Sequence, residues 1–95
     1  METTKMELNR KARQMEKYPD MKIIIEGHTC NLGVTETNLV IGQMRADVAK
    51  NYLVNQGIAP ERIKTVSKAE TEPLLPNTSE DNRRKNRRIE FVVEH

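Results

Sequence analysis

Residues 23–46 read IIIEGHTCNLGVTETNLVIGQMRA, which is an apolar run, a polar loop and the start of a longer amphipathic segment. The run is short and β-branched, so we predict a buried strand over residues 21–26. A loop is expected over residues 27–36, followed by a helix. Strand ends and helix N-termini converge at such loops, where small polar groups commonly bind. The sequence therefore predicts a binding site at this loop.

The helix after the loop is predicted over residues 37–56 because apolar residues recur on one helical face. Gly57 suits the left-handed residue that follows a helix, and Pro60 prevents continuation. The expected apolar face contains Ile41, Met44, Val48, Ala49, Tyr52 and Leu53. Arg45 lies near the edge of this face, one turn beyond Ile41, where its guanidinium can reach the loop. A planar, permanently charged fork of this kind suits a carboxylate.

Weaker patterns predict the remaining elements. They are a helix over residues 3–17, a strand over 62–67, a loop over 68–79, a short helix capped by Ser79 and ending near Asn86, and a strand over 88–93. At 95 residues the chain is expected to be one domain, residues 1–95, with a modest core. With one Phe, two Tyr and no Trp, that core must be aliphatic.

The net charge and composition of the chain limit the kinds of partner that it can bind. A net charge of +2 is too small to imply polyanion binding, and the basic run at residues 83–88 has few aromatic residues nearby for base stacking. We therefore expect no nucleic-acid partner. No apolar stretch approaches the roughly 18 residues needed to cross a bilayer. Membrane association is expected only through parts of a parent protein outside this chain.

The motif GHT-x-x-x-G at residues 27–33 is followed by Asn38, Arg45-Ala46 and, near the end, Asn86-Arg87-Arg88. Over about residues 6–93 this spacing resembles the OmpA C-terminal-like family, the peptidoglycan-associated domain of OmpA, Pal and MotB. Its pattern is roughly GHTD-x-x-G-x-x-x-x-N-x-x-LS-x-x-RA, then R-x-x-NRR. This chain departs from it at Cys30 in place of Asp, at Gly42 in place of Ser, and at residues 67–69 in place of Gly-aromatic-Gly.

The resemblance implies an α/β (α+β) fold, a two-layer sandwich whose mixed sheet carries its helices on one face. Family members place a strand before the first helix, and none precedes it here, so we expect an N-terminally truncated version. In the family the last strand lies between the first and second strands. Without the first strand, residues 88–93 become a sheet edge. We therefore expect a homodimer, formed by edge pairing or by exchange of the first helix.

The resemblance also implies a non-catalytic module that anchors an outer-membrane or periplasmic protein to the cell wall. In the family, the Arg takes a carboxylate of diaminopimelate in the stem peptide, and the Asp takes its ammonium. The ligand-binding positions correspond here to Thr29, Cys30, Asn38, Arg45 and Arg87, with His28, Gly33 and Asn86 in support. The expected location is the periplasmic side of a Gram-negative outer membrane. No cofactor or metal is expected.

Alternatives remain open from the residues themselves. Arg45 can form a salt bridge with Glu26 or Glu36, and Glu36 can replace the missing Asp. Cys30 can be a small buried filler, or Glu26, His28 and Cys30 can alternate on one face and hold a metal. The chain can also be an interaction or assembly unit that no longer binds peptidoglycan.

Overall fold

Three helices and three strands make up the part of the chain described by the computed structural model, which covers residues 2–94, with side chains from residue 5. In order they are α1 (Glu2–Lys17), β1 (Lys22–His28), α2 (Thr35–Asn55), β2 (Ile63–Ala69), α3 (Glu80–Asn86) and β3 (Ile89–Glu94), with a 3-10 turn at Pro60–Arg62. None of the helices in this range is both long and apolar enough to cross a membrane.

Every predicted helix and strand is present, but the boundaries around the central loop are corrected. β1 runs two residues past Glu26, because Gly27 is paired on both sides, with Ser67 of β2 and Ile89 of β3. The loop after β1 is correspondingly shorter, and α2 begins at Thr35. Gly57 has φ +100°, as predicted for the residue that ends this helix.

The sheet has the order β2-β1-β3, with β1 parallel to β2 and antiparallel to β3. Alternate residues of β1, Ile23 and Ile25, are buried in a core cluster to which both α1 and α2 contribute. The predicted mixed sheet with helices on one face is therefore confirmed. Within the described residues β3 has β1 as its one hydrogen-bonded neighbour, so its other side is a sheet edge.

Two glycines let α2 lie directly against the sheet. A Cβ on Gly27 would stand 1.7 Å from the carbonyl oxygen of Gly42, and a Cβ on Gly42 would stand 2.2 Å from Ser67 Oγ. Neither position can accept a larger residue without moving the helix. The same end of the sheet contains Ala69 at φ +48°, a left-handed conformation that normally favours Gly.

This close contact rotates α2 away from the predicted orientation. Its buried residues are Asn38, Gly42, Ala46, Ala49 and Leu53. Met44 and Val48, which we expected in the core, are 60% and 68% exposed. The predicted burial of these two residues is therefore wrong. The positions of apolar residues do not reveal that the side of α2 facing the sheet must contain a glycine. Met44 and Val48 line a groove of about 480 Å³ between α1 and α2.

Candidate functional site

The loop between β1 and α2 starts at the carboxyl end of the central strand. Its first residue, Thr29, donates its backbone N–H to the carbonyl of Ala69 at 2.8 Å, which ties the loop to the end of β2. The Thr29 hydroxyl donates to the carbonyl of Cys30 at 3.2 Å. Both residues are buried, whereas Gly33 is exposed at φ +82°. The start of the loop is thus rigidly held and its outer part is a turn.

Asn38 holds this loop from the first turns of α2. Its buried side-chain amide donates to the Cys30 carbonyl at 3.3 Å and to Glu70 Oε2 at 2.5 Å. The hydrogen bond from Asn38 is the main reason that the pKa of Glu70 is lowered. Sequence reasoning missed Glu70. Its position directly after β2 was the available signal, because parallel strands end at the same edge of a sheet.

Arg45 is two turns beyond Asn38 on α2 and is half-buried. It donates Nη1 to the His28 carbonyl at 3.2 Å. Burial is the main cause that lowers its pKa; the charge of Arg87 lowers it further, and Cys30 raises it. Among the residues whose side chains are described, no carboxylate lies within ion-pair distance of Arg45, so the salt bridge to Glu26 or Glu36 does not form. Its guanidinium is therefore partly desolvated and lacks a counterion.

Arg87 approaches the same loop from the C-terminal end of α3. Its Nη1 donates to Cys30 Sγ at 3.4 Å and its Nη2 donates to Glu80 Oε2 at 2.6 Å. Glu80 is the main reason that the pKa of Arg87 is raised. Burial raises the pKa of the Cys30 thiol, but the Leu32 backbone N–H and Arg87 together lower it below its ordinary value of 9.0. The thiol is thus surrounded by hydrogen-bond donors.

His28 lies on the opposite face of the sheet from the helices. Its Nε2 is 3.3 Å from Glu26 and 3.7 Å from Glu90, and these three groups lie within 4.8 Å of one another. Cys30 is not part of this cluster, because β1 ends at His28. A metal-binding His usually donates its second ring N–H to an acceptor, whereas the buried Nδ1 of His28 has no partner among the described residues. This arrangement favours a structural imidazole oriented by Glu26.

Asn86 is fully buried and fastens the loop before α3. Its Oδ1 accepts from the backbone N–H groups of Leu74 and Leu75, and its Nδ2 donates to the Leu75 carbonyl and to Asn77. Its connection to the site is indirect, through the adjacent Arg87. The five ligand-binding positions named from sequence do converge, since Thr29, Cys30, Asn38, Arg45 and Arg87 all contact residues 28–30.

The basic run of residues 83–88 is fully paired. Each of its five cationic side chains makes an ion pair, and the pairs are Arg83–Glu80, Arg84–Asp81, Lys85–Asp81, Arg87–Glu80 and Arg88–Glu90. Three carboxylates, Glu80, Asp81 and Glu90, offset these five cations and leave a net charge of +2 (five minus three), which is too small by itself to indicate a polyanion-binding surface.

Fold and site together describe a small α/β sandwich in which two arginines, Arg45 and Arg87, converge on the loop at the end of the central strand. The family model described as the OmpA family matches residues 1–87. Peptidoglycan-binding protein ArfA of Mycobacterium tuberculosis is 37% identical over 86 residues, which are 90% of this chain and 26% of that protein. Outer membrane porin F of Pseudomonas fluorescens is 40% identical over 80 residues, 84% of this chain and 24% of that protein.

The crystal structure of the peptidoglycan-associated lipoprotein from Burkholderia pseudomallei superposes with a TM-score of 0.87 at 29% identity, covering 92% of this chain and 74% of that one. The chain therefore belongs to the OmpA family, and the resemblance inferred from the GHT motif is confirmed. It spans about a quarter of the length of ArfA and of porin F.

Proposed function

We propose that this chain is a non-catalytic module that binds peptidoglycan through a carboxylate of the diaminopimelate-containing stem peptide. The observation that carries the proposal is the state of Arg45, which is half-buried and has no carboxylate partner among the described side chains. Burying a charge without a partner is costly, so the guanidinium has a strong tendency to bind an anion. A ligand carboxylate would satisfy it with two parallel hydrogen bonds.

The surrounding residues give this carboxylate a defined place. Thr29 and Cys30 form the buried start of the loop, Asn38 holds the loop from α2, and Arg87 adds a second guanidinium on the far side. Because these hydrogen bonds already hold the loop, it loses little entropy when a ligand binds. The names of ArfA and of the Burkholderia lipoprotein support peptidoglycan as the ligand class.

We further propose that the module lies on the periplasmic side of a Gram-negative outer membrane and anchors a larger protein to the cell wall. Support comes from the similarity to an outer membrane porin and a peptidoglycan-associated lipoprotein. In this arrangement the chain itself does not enter the membrane, and the rest of the parent protein provides the membrane attachment.

The ligand proposal is tested by calorimetric titration with two stem peptides that differ in one group. One contains diaminopimelate, and the other contains lysine, which is diaminopimelate without its second carboxylate. The diaminopimelate peptide should bind. The lysine peptide should bind at least tenfold more weakly, because it lacks the carboxylate that would pair with Arg45. Equal binding of the two peptides would show that the pocket does not read this carboxylate, and binding of neither would exclude the proposed function.

We also propose that two chains form a homodimer through the open edge of β3. Along this edge the backbone groups of Ile89–Glu94 have no hydrogen-bond partner on one side within the described residues. Such an edge readily pairs with another strand. Light scattering should give a dimer mass at high protein concentration. A monomer mass, with amides along β3 protected from exchange, would argue instead that another segment covers the edge.

A further inference from the structure

Two guanidinium groups, those of Arg45 and Arg87, converge on the loop that contains Cys30. Arg45 and Arg87 are close enough for the charge of one to lower the pKa of the other, and both interact electrostatically with Cys30. Between them lies a thiol, which is neutral when protonated and a weak hydrogen-bonding group. The side chains around Cys30 therefore favour negative charge in a ligand.

The carboxylates around the site are either paired with an arginine or exposed to solvent to some degree. Glu80 accepts from both Arg83 and Arg87. Glu70 accepts from Asn38 at 2.5 Å, and a hydrogen bond from Thr35 also lowers its pKa. Glu36, which sequence reasoning offered as a substitute for the missing Asp, is exposed in the first turn of α2. Among the described residues, an ammonium group entering the site would meet two guanidiniums, and of these carboxylates Glu70 and Glu36 are the ones without a cationic partner. Because Glu70 is partly exposed to solvent and Glu36 is exposed, an ion pair formed with either would contribute little to affinity.

We infer that the site recognises the side-chain carboxylate of its ligand and does not recognise the neighbouring amine. This inference rests on the proposed function and specifies the form of ligand that the site accepts. A stem peptide binds whether its side-chain amine is free or has been acylated, as it is after joining to a second peptide. The pocket is thus suited to cross-linked as well as uncross-linked cell wall, and Cys30 is the residue that determines this tolerance.

The test compares two diaminopimelate stem peptides that are identical except that the side-chain amine of one is N-acetylated. Calorimetry is done at pH 6 with reductant, because low pH favours the protonated thiol and reductant prevents its oxidation. The wild-type chain should bind both peptides within about threefold of each other. Cys30→Asp should prefer the free amine by tenfold to a hundredfold or more, on the order expected for a new partly buried ion pair.

Cys30→Asn is the matched control, because it has the shape of Asp without the charge. It should show no preference between the two peptides, which separates charge from volume. Thermal unfolding of each variant verifies that it is folded before its affinity is interpreted.

The outcomes separate this inference from the proposed function. A wild-type chain that is folded and binds neither peptide overturns the proposed function. A wild-type chain that binds both peptides as above, but whose Cys30→Asp variant gains no preference, overturns the assignment to Cys30. A wild-type chain that prefers the free amine by more than tenfold overturns the inference and leaves peptidoglycan binding intact. In that case Glu70→Gln would show whether Glu70 holds the amine.

Discussion

Two half-buried arginines, Arg45 and Arg88, stand near the same end of β1 and differ in how completely they are paired. Arg88 forms an ion pair with Glu90 and donates to the carbonyls of Asn86 and Glu72 at 3.1 and 3.0 Å. Arg45 has one backbone carbonyl as its acceptor. Similar burial therefore accompanies different contacts: the donors of Arg88 are used in holding the fold together, whereas most donors of Arg45 have no acceptor among the described residues, as its proposed role in ligand binding requires.

Replacement of Arg45 should give the largest effect, and the effect should be on binding. Arg45→Ala is expected to weaken binding of the diaminopimelate peptide by a hundredfold or more, about 3 kcal/mol, because a desolvated ligand carboxylate loses its partner. Calorimetry measures this loss. Arg45→Lys, which keeps the charge and loses the fork, should fall between wild type and Ala. Cys30→Asp should not rescue Arg45→Ala, and a rescue would place the carboxylate elsewhere.

Asn86→Ala should act on stability instead. Removing the side chain leaves the backbone N–H groups of Leu74 and Leu75 without their acceptor, which is expected to lower the free energy of unfolding by about 2–4 kcal/mol. Urea denaturation followed by circular dichroism measures this change. A change below about 0.5 kcal/mol would mean that water replaces the amide without cost.

Arg88→Ala should destabilise the fold by about 1–2 kcal/mol, less than Asn86→Ala, because its partner Glu90 is half-exposed and solvent screens the ion pair. Peptide affinity should change little, in contrast to Arg45→Ala. The same denaturation and titration experiments check both expectations. Loss of binding without loss of stability would reverse the roles that we assign to the two arginines.

The smallest expected effect is a pH dependence from Cys30. Its pKa is lower in the folded state than its ordinary value of 9.0, so the unfolded state binds more protons in the interval between the two. Folding stability relative to Cys30→Ser should therefore rise as pH increases through this interval and be lost as pH falls through the folded pKa. Thermal melts from pH 6 to 10 under reducing conditions measure it. If the unfolding temperatures of the two proteins depended on pH in the same way, a lowered pKa of Cys30 would be excluded.

The sequence predicted the elements better than their orientation. Gly57 and Pro60 marked the end of α2 correctly, and Ser79 is the N-cap of α3 as expected. The rotation of α2 was missed, because it depends on the contact between Gly27 of β1 and Gly42 of α2, which the apolar pattern of α2 alone does not reveal. Periodicity reports which residues share a helical face, but it cannot report which face meets the sheet when several faces carry apolar residues.

The residues of the candidate site show the same difference between local features, which the sequence predicted, and long-range contacts, which it did not. Spacing within residues 27–46 placed the loop, Asn38 and Arg45 correctly relative to one another, because local geometry follows from a strand, a short loop and a helix. Pairings across the chain, such as Glu70 with Asn38 and Arg87 with Cys30, join residues 32 and 57 positions apart. These contacts depend on parallel pairing of β1 with β2 and on the placement of α3, which long-range packing decides.

What the sequence by itself determined is the order of elements, the family and most of the residues around the loop after β1, since these follow from local propensity and motif spacing. What only the tertiary structure decided is the state of each charge. Among the described side chains, Arg88 has a counterion and Arg45 has none, because folding brings Glu90 to within ion-pair distance of Arg88 and brings no described carboxylate that close to Arg45. Charge–charge interactions depend on distance and burial, and neither quantity is present in a linear chain.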